Sequence, residues 1–360
     1  MGRIHESAEA LGCSMTFRVL ALESSCDEFA GAVIEDGIEV LASVVASQAG
    51  IHARYGGVVP EVAGREHLRN LAPVMQATLE SAGMDWGELD AIAVTQGPGL
   101  GGSLLVGVNA AKAAAWARDL PLIPVHHIAG HLYANWLQPA RDEWDDEPPP
   151  FPLIALVVSG GHTELFWMED HERVERIGQT RDDAAGEAFD KVGRLLGLPF
   201  PGGPEIERAA NQASPEQIAA LEPLPRAWLP GTHDFSFSGL KTAVLNRVRK
   251  AKAAGQPVDV AAMAARFQES VCHVLAEKTS RAAEELGASC VIVAGGVAAN
   301  GALRVALRDR SPVPVRVPPP RLCTDNAAMI GAAACYLRTP GALDIDVFST
   351  SGPAVFSAGP

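Results

Sequence analysis

No stretch of this sequence approaches the ~18 uninterrupted apolar residues of a membrane-spanning helix. Residues 1–16 carry Glu6 and Glu9 and no long apolar run, which excludes a secretory signal and leaves a tail before the first strand. Positive charge is scarce: 29 Lys plus Arg against 43 Asp plus Glu, a formal net charge of −14. A generic nucleic-acid coat protein is thereby excluded, because most of such a surface repels phosphate; a local basic patch remains possible. Paired cysteines are also missing. Cys13, Cys26, Cys272, Cys290, Cys323 and Cys335 are scattered and none forms a CxxC pair, which fits reduced thiols in a cytosol better than a disulfide framework or a structural zinc site. What is present is 48% apolar and 20% charged residues in 360, enough for a sizeable core. At ~150 residues per domain, this predicts two domains or one two-lobed unit.

Apolar runs at Phe17–Leu22, Ala30–Ile34 and Val40–Val45, separated by GluSerSerCysAsp and Asp36-Gly37, predict an antiparallel meander. A helix is expected over 60–83, opened by Pro60 and Glu61 and closed near Gly83. A strand at 90–94, a Gly-rich turn at 97–102, an Ala-rich helix to about Arg118 and a strand at Leu122–Val125 follow. Residues 139–152 hold five acidic residues and five prolines and read as a linker between an N-terminal lobe (17–138) and a C-terminal lobe (153–338). Beyond it the opening pattern recurs: apolar Leu153–Val158, the turn Ser159–Thr163, then Glu164–Met168. Helices are expected at 183–197, 204–222, 239–253, 258–286, 298–309 and 325–337, with strands at Cys290–Ala294 and Val313–Val317; residues 339–360 read as a loose tail. Strands alternating with helices, and glycine turns at strand ends, argue for an α/β fold that binds ligands beyond its strands' carboxyl ends.

His127 and His131 stand at i and i+4, which on a helix places both imidazoles on one face, able to share a metal. The spacing is that of the zinc-peptidase motif HExxH, but Ile128 stands where the general base belongs, which argues against peptidase chemistry. Two ordinary histidines are the competing reading. Asp325, at an expected helix start, is the best third ligand, though an N-cap aspartate alone is the commoner role. The turn Ser159-Gly160-Gly161-His162-Thr163 can present backbone N–H groups to an anion, and Glu23–Glu28 occupies the same point in the first half. Facing one another, the two turns would clamp a nucleotide phosphate. Asp190, followed by the Gly202-Gly203 turn, suits ribose hydroxyls; Asn300, opening a helix after Gly295-Gly296, suits a phosphate or purine edge. The 97–102 turn lacks the Gly-Lys-Ser/Thr ending of a phosphate loop and reads as backbone packing. Basic residues cluster at Arg65 and Arg69, at Arg247, Arg249, Lys250 and Lys252, and at Arg304, Arg308 and Arg310; each cluster is either a solvated helix face or a footing for a polyanion.

Taken in order, GluSerSerCysAspGlu (23–28), GlyGlyValValProGluValAlaGlyArgGluHis (56–67), HisHisIleAlaGlyHis (126–131), ValSerGlyGlyHisThr (158–163), GlyGluAlaPheAspLys (186–191), PheProGlyGlyPro (200–204), PheSerPheSerGlyLeuLys (235–241), AlaGlyGlyValAlaAlaAsn (294–300) and CysThrAspAsn (323–326) resemble the bacterial tRNA N6-adenosine threonylcarbamoyltransferase family, once described as glycoprotein endopeptidases. The resemblance spans roughly residues 17–337. It implies a two-lobed α/β fold of the actin-like, sugar-kinase and heat-shock-chaperone ATPase type. It implies transfer of threonylcarbamoyl from threonylcarbamoyl-AMP to N6 of the adenosine beside the anticodon of tRNA, in the cytoplasm. It also implies one divalent ion, iron or zinc, on His127, His131 and Asp325, and an adenylate pocket at Val157, Val158, Ser159, Gly160, Gly161, Asp190, Gly203, Glu207 and Asn300, with Glu207 assigned by spacing. Asp27, Glu28 and His162 are candidate orienting groups or proton relays. The family's partners are a non-catalytic paralogue and a small ATPase. Two departures stand out: Phe29 replaces the usual Thr, and Ala129 stands where an acidic residue is frequent. An ATP-dependent small-molecule kinase on the same fold, or a non-catalytic scaffold subunit, are the alternatives; the histidine pair has no role in a kinase.

Overall fold

The computed structural model describes residues 16–138, 146–338 and 341–349. Residues 1–15 of the expected N-terminal tail, the first half of the linker (139–145) and the last eleven residues lie outside the described residues. The chain forms two five-stranded sheets. The first holds β1 (Arg18–Glu23), β2 (Glu28–Glu35), β3 (Glu39–Ser47), β4 (Ala91–Gly97) and β5 (Leu122–His126) in the order β3-β2-β1-β4-β5. The second holds β6 (Leu153–Val158), β7 (Thr163–Met168), β8 (Val174–Gln179), β9 (Cys290–Ala294) and β10 (Val315–Arg316) in the order β10-β9-β6-β7-β8. Each sheet begins as an antiparallel meander and continues as two parallel strands beside its first strand. The faint strand–turn–strand similarity of the sequence is thus one visible part of a full duplication.

Both sheets are covered on both faces, which is why their central strands read as continuous apolar runs. In β1, Val19 and Ala21 face one core while Leu20 and Leu22 face another. In β6, Leu153, Ala155 and Val157 face the first of these, and Ile154, Leu156 and Val158 face a third. The outer layer of the first sheet consists of α1 (Pro60–Ala82) and α2 (Gly101–Arg118). Pro60 supplies the preset φ of the first helical turn, and Gly83 at φ 64° ends α1. The outer layer of the second sheet is built from α4 (Ala185–Leu196), α5 (Gly202–Ala210), α6 (Pro215–Ala220), α7 (Ser238–Ala253), α8 (Val260–Leu286) and α9 (Gly301–Arg310).

Between the sheets lie α3 (His127–Tyr133) and α10 (Ala327–Leu337). The latter reads AlaAlaMetIleGlyAlaAlaAlaCysTyrLeu, apolar all round as a buried helix must be. The linker at 139–152 leaves this helix in the second half of the sequence, yet it packs on β1 and β2 of the first sheet. A Cβ on Gly331 would come 2.5 Å from Ile34 Cγ1, so only glycine permits that approach.

Three other differences have local causes. The expected helix over 204–222 is two helices, because Ser214-Pro215 starts a new one: Ser214 accepts from the Gln217 N–H in a capping box and Pro215 needs no donor. The expected helix at 298–309 begins at Gly301, with Asn300 as its N-cap. Strand β8, half exposed at the sheet edge, has no apolar run to announce it. At the C-terminus, Gly341 bridges Leu122, and Gln96 and Lys112 donate to the carbonyls of Asp346 and Ile345 at 2.6 and 2.5 Å, so 341–349 lies against the first sheet.

Candidate functional site

Strand β5 ends at His126 and α3 begins immediately. His126 accepts from the Ile128 N–H at 3.2 Å and so caps the helix. Within α3 the i, i+4 spacing brings the His127 and His131 rings to 4.6 Å between centroids. Asp325 lies just before α10, whose cap is Asn326, accepting from Met329 N–H at 3.0 Å. A Cβ on Gly130 would meet Ile330 Cδ1 at 2.6 Å, so α3 and α10 touch here. This contact delivers Asp325 Oδ1 to 3.6 Å from His127 Nε2 and 3.3 Å from His131 Nε2. One ligand atom from each residue lies within 4.8 Å of the others.

The donor set fits a divalent cation. Both ring nitrogens of fully buried His131 lack a hydrogen-bond partner, and the 3.3 Å approach to Asp325 is not aligned as a hydrogen bond. A buried, unpartnered imidazole nitrogen is costly, and a metal removes that cost. Two imidazoles and a carboxylate suit zinc or ferrous iron. Burial works against a charge on His127, but Glu23 and Asp325 outweigh it and raise its pKa to about 9. Asp325 is also opposed by burial and is held below the usual carboxylate range by His127 and His131. A cation bound here would replace the His127 proton.

Glu23, which the sequence reading took only as part of a turn, is the carboxylate behind His127. It is fully buried; Oε1 accepts from the Ser25 N–H at 2.5 Å, and Oε2 accepts from Thr95 Oγ1 at 2.5 Å and faces His127 Nδ1 at 3.2 Å. Burial raises its pKa, but His127 wins and the carboxyl stays lowered. This arrangement fixes Nδ1 as the protonated nitrogen and leaves Nε2 for a metal. A glutamate closing an otherwise apolar strand was the available signal.

Beside these ligands is a cavity of about 750 Å³ lined by Asp27, Glu28, His127, Ser159, Gly160, Gly161, His162, Asp190 and Asp325, among others. The two turns therefore do face each other. A Cβ on Gly160 or Gly161 would meet no atom within 4 Å, so packing does not demand glycine there; its absence of side chain keeps the backbone amides accessible. Burial, Asp27 and Asp325 raise the Glu28 pKa to about 8, so it holds its proton at neutral pH. Burial, His127 and His131 lower His162 to about 4, leaving it neutral. Asp190 is raised by burial and accepts from the Gly202 N–H at 2.7 Å. Gly186, opening α4, would place a Cβ 2.5 Å from Ser159 O and 2.8 Å from Gly160 Cα. Gly186→Ala is therefore expected to displace the turn and to cost about 1–3 kcal/mol in stability, which thermal melts measure.

Several expected residues sit elsewhere. Val157 and Val158 are wholly buried in β6. Glu207 accepts from the Gly301 N–H at 2.7 Å and lines a neighbouring cavity of about 660 Å³. Asn300 accepts from Leu303 N–H at 3.0 Å and donates to Gln268 at 2.8 Å. A Cβ on Gly203 would meet nothing within 4 Å. Phe29 points into the core, its ring 5.6 Å from that of His67, and Ala129 is buried, so neither departure replaces a group facing the cavity. The 97–102 turn packs as expected, Leu100 donating to Ser25 O at 2.7 Å, and its Pro98, Gly99 and Leu100 also line the cavity. Arg65 pairs with Glu61, Arg69 with Glu66, Arg247 binds the Glu222 and Pro223 carbonyls, and Arg304 binds those of Ala298 and Pro318. Exposed Arg249, Lys250 and Lys252 form no ion pair among the described residues.

Duplicated mixed sheets, helices between and outside them, and a polar cavity where two turns meet define a two-lobed actin-like, sugar-kinase and chaperone-ATPase fold. Component A of (R)-2-hydroxyglutaryl-CoA dehydratase from Acidaminococcus fermentans matches 89% of this chain and 98% of its own at TM-score 0.51 and 14% identity. Full-length HypF in its phosphate- and nucleotide-bound form matches 89% of this chain and 46% of its own at TM-score 0.56 and 14% identity. These show the fold alone. The chain belongs to the tRNA N6-adenosine threonylcarbamoyltransferase family, whose model matches residues 39–332. The enzyme of that name from Thermomicrobium roseum is 55% identical over 352 residues, covering 91% of this chain and 95% of the relative. The one from Geobacillus thermodenitrificans is 54% identical, covering 90% and 92%.

Proposed function

We propose that this protein transfers threonylcarbamoyl from threonylcarbamoyl-AMP to N6 of the adenosine beside the anticodon in tRNA, in the cytoplasm, with one zinc or ferrous ion on His127, His131 and Asp325. The observation that carries the reading is the metal-suited trio opening onto the same cavity as the Ser159–Gly161 turn. The donor is a mixed carbamic–phosphoric anhydride; the adenine amine is a weak nucleophile, so positioning and charge stabilisation dominate. N6 attacks the carbamoyl carbon, the bond to the phosphate oxygen breaks, AMP departs, and N6 loses a proton. Asp27 takes that proton. Protonated Glu28 and neutral His162 donate to substrate oxygens and keep the phosphate from meeting extra negative charge. Amides of Ser159, Gly160 and Gly161 hold the phosphate, and Asp190 the ribose; Val157 and Val158 fix this turn from below, while Gly203, beside the Gly202 amide that Asp190 accepts from, and Glu207 and Asn300, which hold the start of α9, support the nucleoside end from outside the cavity wall. The bound ion supplies Lewis acidity to the threonylcarbamoyl oxygens.

A non-catalytic paralogue and a small ATPase are the partners. The test is reconstitution of all three with tRNA and threonylcarbamoyl-AMP, with mass spectrometry of the anticodon-loop nucleoside. The threonylcarbamoyl adduct and stoichiometric AMP are expected; an unmodified adenosine with every component present would sink the reading.

Arg249, Lys250 and Lys252 serve as a footing for tRNA. Replacing all three by Ala is expected to reduce the salt slope of tRNA binding by ~2–3, since each phosphate contact contributes ~0.7–0.9. Adenylate binding should be unchanged. Unaltered tRNA affinity would place the polyanion elsewhere.

A further inference from the structure

A buried line of polar groups runs from the cavity wall to the Asp27 turn and belongs to none of the groups above. Val59 N–H lies 3.3 Å from His52 Nδ1, His52 Nε2 lies 3.1 Å from Gln48 Oε1, Gln48 Nε2 lies 2.8 Å from His67 Nδ1, and His67 Nε2 lies 3.1 Å from Cys26 O. His52, Gln48 and His67 are each at most 1% exposed. The two ends fix the direction. An amide N–H can only donate, so His52 Nδ1 is bare and its Nε2 carries the proton. A carbonyl can only accept, so His67 Nε2 carries a proton and, in the neutral ring, Nδ1 is bare. Between the rings stands Gln48, whose side-chain carbonyl accepts from His52 and whose NH2 donates to His67, so the direction set at both ends runs through it unbroken. No charge is needed, and burial lowers the His67 pKa, as neutrality requires.

Both ends matter to the site. Cys26 precedes Asp27 and Glu28, and the Gln48 backbone N–H donates to Asp27 O at 3.2 Å. Val58, beside Val59, lines the cavity, and Arg194, on the helix that carries Asp190, donates to Gly56 O. The segment 56–59 is therefore held from the first lobe by His52 and from the second by Arg194.

We infer that Gln48 is a positioning residue which, through His67 and His52, sets Asp27 and Glu28 against the 56–59 wall of the cavity. The inference rests on the role given above to Asp27 and Glu28, and its test separates the two. Long-range 1H–15N spectra of the full-length protein at pH 7 are expected to show His52 and His67 as neutral Nε2–H tautomers. An Nδ1–H tautomer or an imidazolium at either ring would overturn the chain of bonds and leave the role of Asp27 untouched. Conversely, Asp27→Asn with full turnover would remove that role while the tautomers stayed as described. In the reconstituted system, Gln48→Leu is expected to lower kcat at least tenfold and to leave KM for tRNA within twofold, because Gln48 touches no substrate. Gln48→Met, closer to the amide in length, gives the same readout if the leucine variant does not fold. A folded variant with wild-type kcat refutes the positioning role.

Discussion

With the proposed ion on His127, His131 and Asp325, His131→Ala should abolish metal binding and lower the transfer rate roughly a thousandfold. The estimate follows from Lewis-acid stabilisation of several kcal/mol, of which about 4 kcal/mol corresponds to three factors of ten. His131, on α3, faces Asp325 with neither ring nitrogen hydrogen-bonded, so its removal deletes a ligand without breaking a hydrogen bond. The vacated space is buried, and a cost of about 2–4 kcal/mol in stability is expected from the cavity. Metal analysis of the purified variant, circular dichroism and the reconstituted transfer assay separate the two effects. Undiminished transfer without bound metal would remove the ion from the mechanism.

Glu23→Gln should weaken metal affinity about 10–100-fold, the usual effect of altering the group behind a ligating imidazole. The carboxylate is an acceptor for Ser25 N–H, Thr95 Oγ1 and His127 Nδ1. An amide of the same shape must turn its NH2 toward one of these donors, and a buried donor–donor contact costs about 1–3 kcal/mol. His127 is then free to change tautomer and withdraw Nε2 from Asp325. Competition with a chromophoric chelator measures the affinity, and loss of His127 imidazolium character in the apo spectrum at pH 7, as the charge of Glu23 is removed, identifies the cause. Wild-type affinity would show that Asp325 and the helix alone orient the ring.

Much of the fold was legible because both sheets are buried on two faces. Their central strands are unbroken apolar runs, and Pro, Gly and Ser mark where the chain turns. Strand β8 was not legible: at an exposed edge, Val174–Gln179 carries two charged residues and little periodicity. The His127–His131 pair was visible from spacing alone, since i, i+4 on any helix shares a face. Asp325 was the best third ligand on residue chemistry and position, but only the contact of α10 with α3 sets its carboxylate 3.3 Å from His131 Nε2. Glu23 was missed because its turn offered three carboxylates, and sequence does not say which one folds inward. Asp27 and Glu28 line the cavity, whereas Glu23 closes β1 beneath it.

The sequence by itself determined the two halves, the paired turns and the candidate ligands, because each rests on local periodicity or on residue chemistry. Tertiary structure alone decided that the last helix returns to the first sheet and that the two turns meet across one cavity. It also decided that His52, Gln48 and His67 align in one direction. The physical reason is the same in each case. These relations depend on packing between separate elements: α3 and α10 between the sheets join the two halves, and α1 lying on β2 and β3 brings His67 to Gln48.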